Sequence, residues 1–134
     1  MQFSEQDISR FIKALNFSAY KHRSQKRKSV EEIPYINHPL RVAELLWEEG
    51  DIRNMDIIIA GILHDTIEDT DTKAEEITAL FGETVTSYVL EVTDDRSLPK
   101  EERKKMQIAH AANISFEAKQ IKLADKIANI YDVG

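Results

Sequence analysis

The chain has 134 residues, of which 42% are apolar and 31% are charged, and its formal net charge is −6 at pH 7. This length and balance predict a single domain over residues 1–134 with enough interior for a hydrophobic core. The absence of cysteine excludes disulfides, thiolate metal sites and cysteine nucleophiles, and the acidic net charge argues against general affinity for nucleic acid.

The N-terminal residues carry no basic segment followed by an apolar stretch, so they do not resemble a signal peptide. The longest apolar run, residues 57–63, is far shorter than a membrane span. Together these features predict a cytoplasmic protein that does not contact a membrane.

The first predicted helix begins after Ser4, which has the side chain of a good N-cap. Its apolar residues follow the i, i+3, i+4, i+7 spacing of an amphipathic helix. These residues are Ile8, Phe11, Ile12 and Leu15. The helix is expected to continue to a basic cluster, and Pro34 then predicts a loop over residues 29–35.

The basic cluster concentrates lysine and arginine on an otherwise acidic chain. It consists of Lys21, Arg23, Lys26, Arg27 and Lys28. Such a cluster is either a solvated helix end or a local site for a phosphorylated ligand.

Two helices are predicted in the central part of the chain. Asn37 resembles the N-cap of the first, Pro39 is tolerated in its first turn, and Gly50 ends it. One face of this helix carries His38, Val42, Leu45 and Leu46. The second helix begins near Arg53 and is apolar on every side over residues 57–63, which predicts the buried central element.

Residues 64–69 follow this apolar stretch directly and read His-Asp-Thr-Ile-Glu-Asp. If the helix continues, His64 lies one turn before Glu68, and Asp65 one turn before Asp69. Buried carboxylates and imidazoles are costly unless they are compensated, and carboxylates at a helix C-terminus oppose its dipole. A divalent metal ion is the simplest compensation, and imidazole with carboxylate suits Mn²⁺, Fe²⁺ or Zn²⁺ better than Mg²⁺ or Ca²⁺.

Four further helices are predicted after residue 70. Thr72 and Glu75 form a capping-box pattern before a helix that Gly82 ends. The next helix is marked by Val85, Tyr88, Val89 and Val92. After a loop over residues 94–99, a polar helix covers residues 100–112.

The last predicted helix begins at Ser115. Its apolar stripe consists of Leu123, Ala124, Ile127, Ile130 and Tyr131, whereas Lys122, Asp125 and Asn129 share another side. Because no alternating strand pattern occurs, the fold class is predicted to be all-α, a compact array of several helices.

Each candidate site residue also has a structural interpretation when it is taken alone. His38 resembles a structural or surface histidine at a helix start, Asp125 a solvated residue, and His22 and His110 surface residues. The pair His64–Asp65 is harder to explain in this way, because adjacent helical residues point about 100° apart on a segment that is buried on every side.

Four blocks of sequence carry a resemblance to a known family. They are Tyr-Ile-Asn-His-Pro at 35–39, Leu-His-Asp-Thr-Ile-Glu-Asp-Thr at 63–70, Val-Thr-Asp-Asp at 92–95 and Lys-Leu-Ala-Asp-Lys at 122–126. In this order they resemble the (p)ppGpp hydrolase domain of the RelA/SpoT enzymes, which are HD-domain metal-dependent phosphohydrolases. In size the chain is similar to the stand-alone small alarmone hydrolases of the metazoan SpoT-homologue type.

The resemblance implies an HD-domain array and a metal-dependent 3′-pyrophosphohydrolase that releases pyrophosphate from ppGpp or pppGpp. It implies that one Mn²⁺ is ligated by His38, His64, Asp65 and Asp125. Glu68 and Asp69 would position and deprotonate the attacking water. The guanine nucleotide would be contacted by Arg27, Lys28, Tyr35 and Asn129.

Three departures from the family pattern leave alternatives open. The family usually continues for several tens of residues beyond the last block, an arginine is replaced by Tyr131, and no synthetase domain follows. The apolar surface left by absent C-terminal helices favours a homo-oligomer. The alternatives are hydrolysis of another nucleotide, such as NADPH or a deoxynucleotide, and a non-catalytic module that binds nucleotide or metal.

Overall fold

The structure of this protein is a computed structural model that describes residues 3–25, 34–93, 99–111 and 114–133. Helices joined by turns and short loops make up these residues. At residues 107–111 and 131–133 only the backbone is described. The helices are α1 (Glu5–Lys21), α2 (Asn37–Glu48), α3 (Met55–Leu63), α4 (Thr66–Asp69), α5 (Ala74–Phe81), α6 (Glu83–Val92), α7 (Lys100–Ala111) and α8 (Phe116–Val133). They confirm the predicted all-α class.

Three predicted features fall largely outside the described residues. They are the basic residues Lys26, Arg27 and Lys28, most of the loop predicted over 29–35, and the loop predicted over 94–99. Within the described part of the chain, no helix has both the length and the apolar character needed to cross a bilayer.

The central helix is α3, which packs against α1, α2, α6 and α8. Every residue from Ile57 to Leu63 is buried, as the sequence predicts. The side chain of Asn54 caps the helix by accepting a hydrogen bond from the backbone N–H of Asp56 at 2.9 Å. Because α3 has no polar face, its neighbours must cover it on all sides, and this requirement organises the domain.

Gly61 permits a close approach of α2 to α3. A Cβ atom at Gly61 would lie only 2.7 Å from Cδ1 of Leu46 and 3.4 Å from Cγ1 of Val42. The side chains of α2 therefore pack directly on the backbone of α3. This crossing brings the start of α2 to the end of α3, where the rings of His38 and His64 lie 5.4 Å apart.

The buried face of α1 differs from the predicted stripe. Ser4 caps the helix as predicted, accepting from the N–H of Asp7 at 3.0 Å. However, Ile8 and Ile12 are about half exposed, and the fully buried positions are Ala14 and Ser18. Small side chains allow close packing there, and the Ser18 hydroxyl donates to the Ile62 carbonyl of α3 at 3.1 Å.

A similar correction applies to α8. Leu123 and Ile130 of the predicted stripe are 55% and 70% exposed, although Ala124 is buried as predicted. Ile127 packs against the core as predicted, and the side chain of Tyr131 lies outside the described residues. Among the described side chains of this helix, Ala118, Ile121 and Ala128 are also buried. Hydrophobicity alone favours leucine and isoleucine, but close packing of α8 on α2 and α6 selects the alanines.

Two predicted caps are also wrong. Asn37 is the first residue of α2 and Ile36 occupies the N-cap position, without a side-chain cap. Lys73 occupies the N-cap position of α5, because the Thr72 hydroxyl pairs instead with the Thr70 hydroxyl at 2.6 Å. Gly82, with φ of 100°, ends α5 as predicted.

Candidate metal centre

The helix is interrupted at His64 and Asp65, although both keep right-handed backbone angles, so residues 64–69 do not continue one helix. α3 ends at Leu63, and α4 is a separate turn over Thr66–Asp69. The buried Thr66 hydroxyl donates to the Leu63 carbonyl at 2.7 Å and closes this turn. The break takes Asp65 out of the helix, and its carboxylate contacts both His64 and Tyr35.

Four side chains from separate parts of the chain converge at this turn. His38 lies at the start of α2, His64 at the end of α3, Asp65 in the turn, and Asp125 in the middle of α8. One potential ligand atom from each lies within 4.8 Å of all the others. The structure thus brings together the four residues for which the sequence predicts metal ligation.

The shortest distances in the cluster join imidazole nitrogens to carboxylate oxygens. Oδ1 of Asp125 lies 2.7 Å from Nε2 of His38 and 3.1 Å from Nε2 of His64. Oδ2 of Asp65 lies 3.1 Å from Nε2 of His64 and 3.8 Å from Nε2 of His38. The two Nε2 atoms therefore face the same pair of carboxylates.

Burial distinguishes the imidazoles from the carboxylates. His38 and His64 are 2% and 4% exposed, whereas the side chains of Asp65 and Asp125 keep 20% and 33% of their surface. Burial therefore excludes a surface position for His38 but is compatible with a structural one. The cluster therefore combines two buried imidazoles with two carboxylates that remain accessible to a ligand.

His64 is oriented by the backbone of its own helix. Its Nδ1 lies 2.7 Å from the carbonyl oxygen of Gly61. Because a carbonyl only accepts hydrogen bonds, Nδ1 carries the proton and Nε2 is left to face the carboxylates. Metal-ligating histidines are commonly fixed in this way, with one ring nitrogen donating to the protein and the other available to the ion.

The pKa values of the cluster show that its two carboxylates favour positive charge beside them. Burial lowers the pKa of His64, but the carboxylates of Asp65 and Asp125 outweigh burial and raise this pKa to about 10. Burial also raises the pKa of Asp125, yet hydrogen bonds from His38 and His64 hold it well below its ordinary value. The pKa of Asp65 is lowered in the same sense, against burial, by His64 and by Tyr35.

These residues fit a borderline divalent ion. Two imidazole nitrogens and two carboxylate oxygens are donors that Mn²⁺, Fe²⁺ and Zn²⁺ accept, and the contact distances between them can relax around one ion. Without an ion, the proton that the raised pKa of His64 retains supplies positive charge to the two carboxylates. A divalent cation would supply that charge in its place.

The residues predicted to act on water belong to α4, the short helix that follows Asp65. Glu68 and Asp69 are half-buried on α4, and the backbone N–H of Asp69 donates to the carbonyl of Asp65 at 2.9 Å. The Tyr35 hydroxyl donates to Oδ2 of Asp65 and lies 3.5 Å from Oδ2 of Asp69. Both carboxylates of α4 are therefore carried one turn beyond Asp65.

The residues predicted to contact the nucleotide are placed unequally. Asn129 is half-buried and lies one turn after Asp125 on α8, so the two share a side of that helix. Tyr35 lies in the turn before α2, next to Asp65. Arg27 and Lys28 lie outside the described residues.

The sequence analysis missed the position of His22. It is predicted at the surface, but it is 2% exposed, and its ring packs on the ring of Tyr35 with centroids 4.6 Å apart. Burial lowers the pKa of His22, so the ring packs there in its neutral form. The spacing Ala14, Ser18, His22 at intervals of four residues was the available signal, because it marks one buried strip of α1. The side chain of His110 lies outside the described residues.

Comparison with known proteins agrees with this geometry. The family model described as HD domain matches residues 14–133. Two relatives named guanosine-3′,5′-bis(diphosphate) 3′-pyrophosphohydrolase MESH1 are 51% identical (Danio rerio) and 46% identical (Homo sapiens). The matches cover 92% and 96% of this chain and 68% and 72% of those relatives, respectively.

A solved structure agrees as well. The structure of a metazoan ortholog of SpoT that hydrolyzes ppGpp superposes with a TM-score of 0.90 at 44% identity. The superposition covers 98% of this chain and 72% of that chain. This chain therefore belongs to the HD-domain family and, within it, to the group of the MESH1 proteins.

Proposed function

We propose that this protein is a metal-dependent guanosine-3′,5′-bis(diphosphate) 3′-pyrophosphohydrolase, which releases pyrophosphate from ppGpp or pppGpp. The observation that carries the proposal is the convergence of His38, His64, Asp65 and Asp125, whose potential ligand atoms lie within 4.8 Å of one another. The curated relatives bearing the name of this reaction match over most of the chain. Residues 1–134 would act as one HD domain.

In this proposal the four converging side chains hold one divalent ion, with Mn²⁺ as the expected metal and Fe²⁺ or Zn²⁺ compatible with the same donors. Such an ion supplies Lewis acidity, lowering the pKa of water and offsetting charge on a phosphoryl group. The contact of His64 Nδ1 with the Gly61 carbonyl supports the assignment, since it leaves Nε2 available as a donor to the ion.

Glu68 and Asp69 are proposed to position the attacking water and to accept its proton. Their place on α4, which begins directly after Asp65, supports this role, and Oδ2 of Asp69 lies 3.5 Å from the hydroxyl that is bonded to Asp65. A general base must come within hydrogen-bonding distance of the proton it removes.

The nucleotide is proposed to lie against Arg27, Lys28, Tyr35 and Asn129. The position of Asn129 one turn after Asp125 supports a contact with a substrate whose phosphate reaches the metal cluster. The two basic residues would offset the several negative charges of that substrate. The proposed partner is therefore a guanine nucleotide. The protein is proposed to act in the cytoplasm, without binding nucleic acid or membrane, and to form a homo-oligomer.

The main experiment measures pyrophosphate release from ppGpp by the purified protein, with Mn²⁺ and after chelation. Release is expected with Mn²⁺ and should vanish with the chelator. Equal rates under both conditions would contradict the proposal. NADPH and a deoxynucleoside triphosphate in parallel assays test the alternative substrates, and tight ppGpp binding without turnover in saturating Mn²⁺ would indicate the non-catalytic alternative.

Substitution of Glu68 tests the affinity for Mn²⁺ separately from the rate of turnover. Glu68→Gln should keep Mn²⁺ affinity but lower turnover by about 10²–10⁴-fold, the range typical of a lost general base. Glu83→Gln, at the exposed start of α6, is the matched control and should leave both quantities unchanged. Full turnover in Glu68→Gln would show that the role assigned to Glu68 is wrong.

A further inference from the structure

We propose that Tyr35 is a positioning residue, whose hydroxyl holds the carboxylate of Asp65 in the orientation that metal ligation requires. This inference rests on the proposed metal site and adds to it a residue that acts through a ligand. It is separate from the proposed contact of Tyr35 with the nucleotide, because the hydroxyl would hold Asp65 before any nucleotide binds.

The hydroxyl of Tyr35 donates to Oδ2 of Asp65, the same oxygen that lies 3.1 Å from Nε2 of His64. Asp65 follows the end of α3 and stands in a turn, so no regular helix fixes its side chain. A carboxylate oxygen has lone pairs for both a hydrogen bond and an ion. The phenol can therefore fix the carboxylate rotamer without occupying the place of the ion.

Tyr35 is itself held by the C-terminal end of α1. Its backbone N–H donates to the carbonyl of Gln25 at 3.0 Å, and the N–H of Gln25 donates to the carbonyl of His22 at 2.9 Å. Nδ1 of His22 is hydrogen-bonded to the Gln25 side-chain oxygen, and the His22 ring packs on the Tyr35 ring at 33°. His22 is buried, so it forms a rigid support beneath the tyrosine.

The same hydroxyl lies 3.5 Å from Oδ2 of Asp69. Tyr35 thus stands between the turn that supplies a proposed metal ligand and the helix that supplies a proposed base. A residue in this place orders the cluster before any substrate binds. Its loss should be visible in metal binding alone, which a residue contacting only the nucleotide would not affect.

The test is Tyr35→Phe, which keeps the ring on His22 and removes only the hydroxyl. We expect the Kd for Mn²⁺, measured by titration calorimetry without nucleotide, to rise by roughly 10–100-fold, as for lost outer-shell partners of metal ligands. Excess Mn²⁺ should restore most of kcat. The melting temperature of the metal-free protein should stay close to that of the wild type.

Tyr88→Phe is the matched control, because Tyr88 is a half-buried tyrosine of α6 packed against the core, and its hydroxyl removal should leave the Kd unchanged. A wild-type Kd for Mn²⁺ in Tyr35→Phe, with a raised KM for ppGpp, would overturn the proposal and favour nucleotide contact. The outcome is independent of the proposed reaction, since metal titration of wild type and variant can support positioning even if ppGpp is not hydrolysed.

Discussion

Charged side chains gather at both ends of α3, but they are neutralised in different ways. At the N-terminal end, Arg10 of α1 donates at 2.7 Å to Asp56 and at 2.7 Å to the carbonyl of Phe81. At the C-terminal end, Asp65 and Asp125 contact imidazoles at 2.7–3.8 Å. An arginine is always protonated, whereas an imidazole gains charge only by taking up a proton.

One helix can therefore have, at one end, a charge cluster that only stabilises the fold and, at the other end, a cluster whose positive charge a metal ion can replace. The carboxylate at the N-terminal end has a permanent cation built into the chain, Arg10, which ties α1 to α3 and α5. In the part of the chain that the structure describes, Asp65 and Asp125 share the imidazolium of His64 as a cationic partner. Its positive charge can be exchanged for that of a metal ion.

The largest expected effect comes from a substitution in the cluster at the C-terminal end of α3. Asp125→Asn removes a proposed ligand and should weaken Mn²⁺ binding by more than the ~10–100-fold typical of an outer-shell change, with turnover lost in step. The metal-free variant should remain folded, because Asp125 keeps a third of its side-chain surface exposed. Titration calorimetry and circular dichroism measure the two properties. Wild-type Mn²⁺ affinity in Asp125→Asn would show that the ion binds elsewhere.

The second expected effect is stabilisation by the metal itself. At a free Mn²⁺ concentration of about 100 times Kd, the free energy of unfolding should rise by about 2.7 kcal/mol, or about 10 °C in melting temperature. Scanning calorimetry with and without chelator measures it. Asp56→Asn, at the other end of α3, should show the same increment, whereas Asp125→Asn should show almost none; equal increments in both variants would contradict the comparison.

The third expected effect is a pH dependence that sharpens the same contrast. The pKa of His64 is raised from 6.5 to about 10, so its contribution to the metal-free fold is full below pH 6.5 and is lost as the pH rises toward 10. The lowered pKa of Asp125 gives a contribution that is lost only as the pH falls below 3.8.

Metal-free protein should therefore lose stability between pH 6.5 and 10, by at most ~1.4 kcal/mol per pH unit for one proton. Metal binding should strengthen over the same range, because the ion replaces protons. Denaturant melts at each pH, with and without Mn²⁺, measure both trends. A metal-free stability that rises from pH 6.5 upward would refute the assigned charge state of His64.

The smallest expected effect comes from a substitution in the cluster at the N-terminal end of α3. Asp56→Asn removes the carboxylate from Arg10 but leaves the contact of Arg10 with the Phe81 carbonyl, so it should lower the free energy of unfolding by about 1 kcal/mol. Turnover at saturating Mn²⁺ should not change. Asp51→Asn, whose carboxylate is largely exposed beside Arg53, is the control and should change stability less. A loss of turnover larger than the loss of stability would show that the two ends are coupled.

The sequence predicted α3 and the position of His64 and Asp65 because both depend on local signals. Seven consecutive apolar residues, 57–63, require burial on every side, and the polar residues that follow must lie at its end. The link to Asp125 came from resemblance to a family, since spacing along the chain contains no distance between α3 and α8. The structure gives that distance, and the chemical roles of these residues remain predictions.

Local signals failed where tertiary contacts decide the outcome. The strips of α1 and α8 that face the core contain alanine and serine, because close helix packing selects small side chains over larger apolar ones such as Ile12 and Leu123. The break after Leu63 depends on the Thr66 hydroxyl bond, and the burial of His22 depends on Tyr35. The break follows from no period of the hydrophobic pattern, whereas for His22 only the spacing of four residues from Ala14 and Ser18 gave a signal.

The uniform burial of α3 also affects how the protein is made. During synthesis, residues 55–63 emerge from the ribosome before α6 and α8 exist, so the segment is translated without two of the helices that cover it. Its three successive isoleucines favour extended structure and association between unfinished chains. Substitutions in α6 or α8 that delay docking will therefore reduce the yield of folded protein in cells before they reduce the stability of the molecules that complete folding.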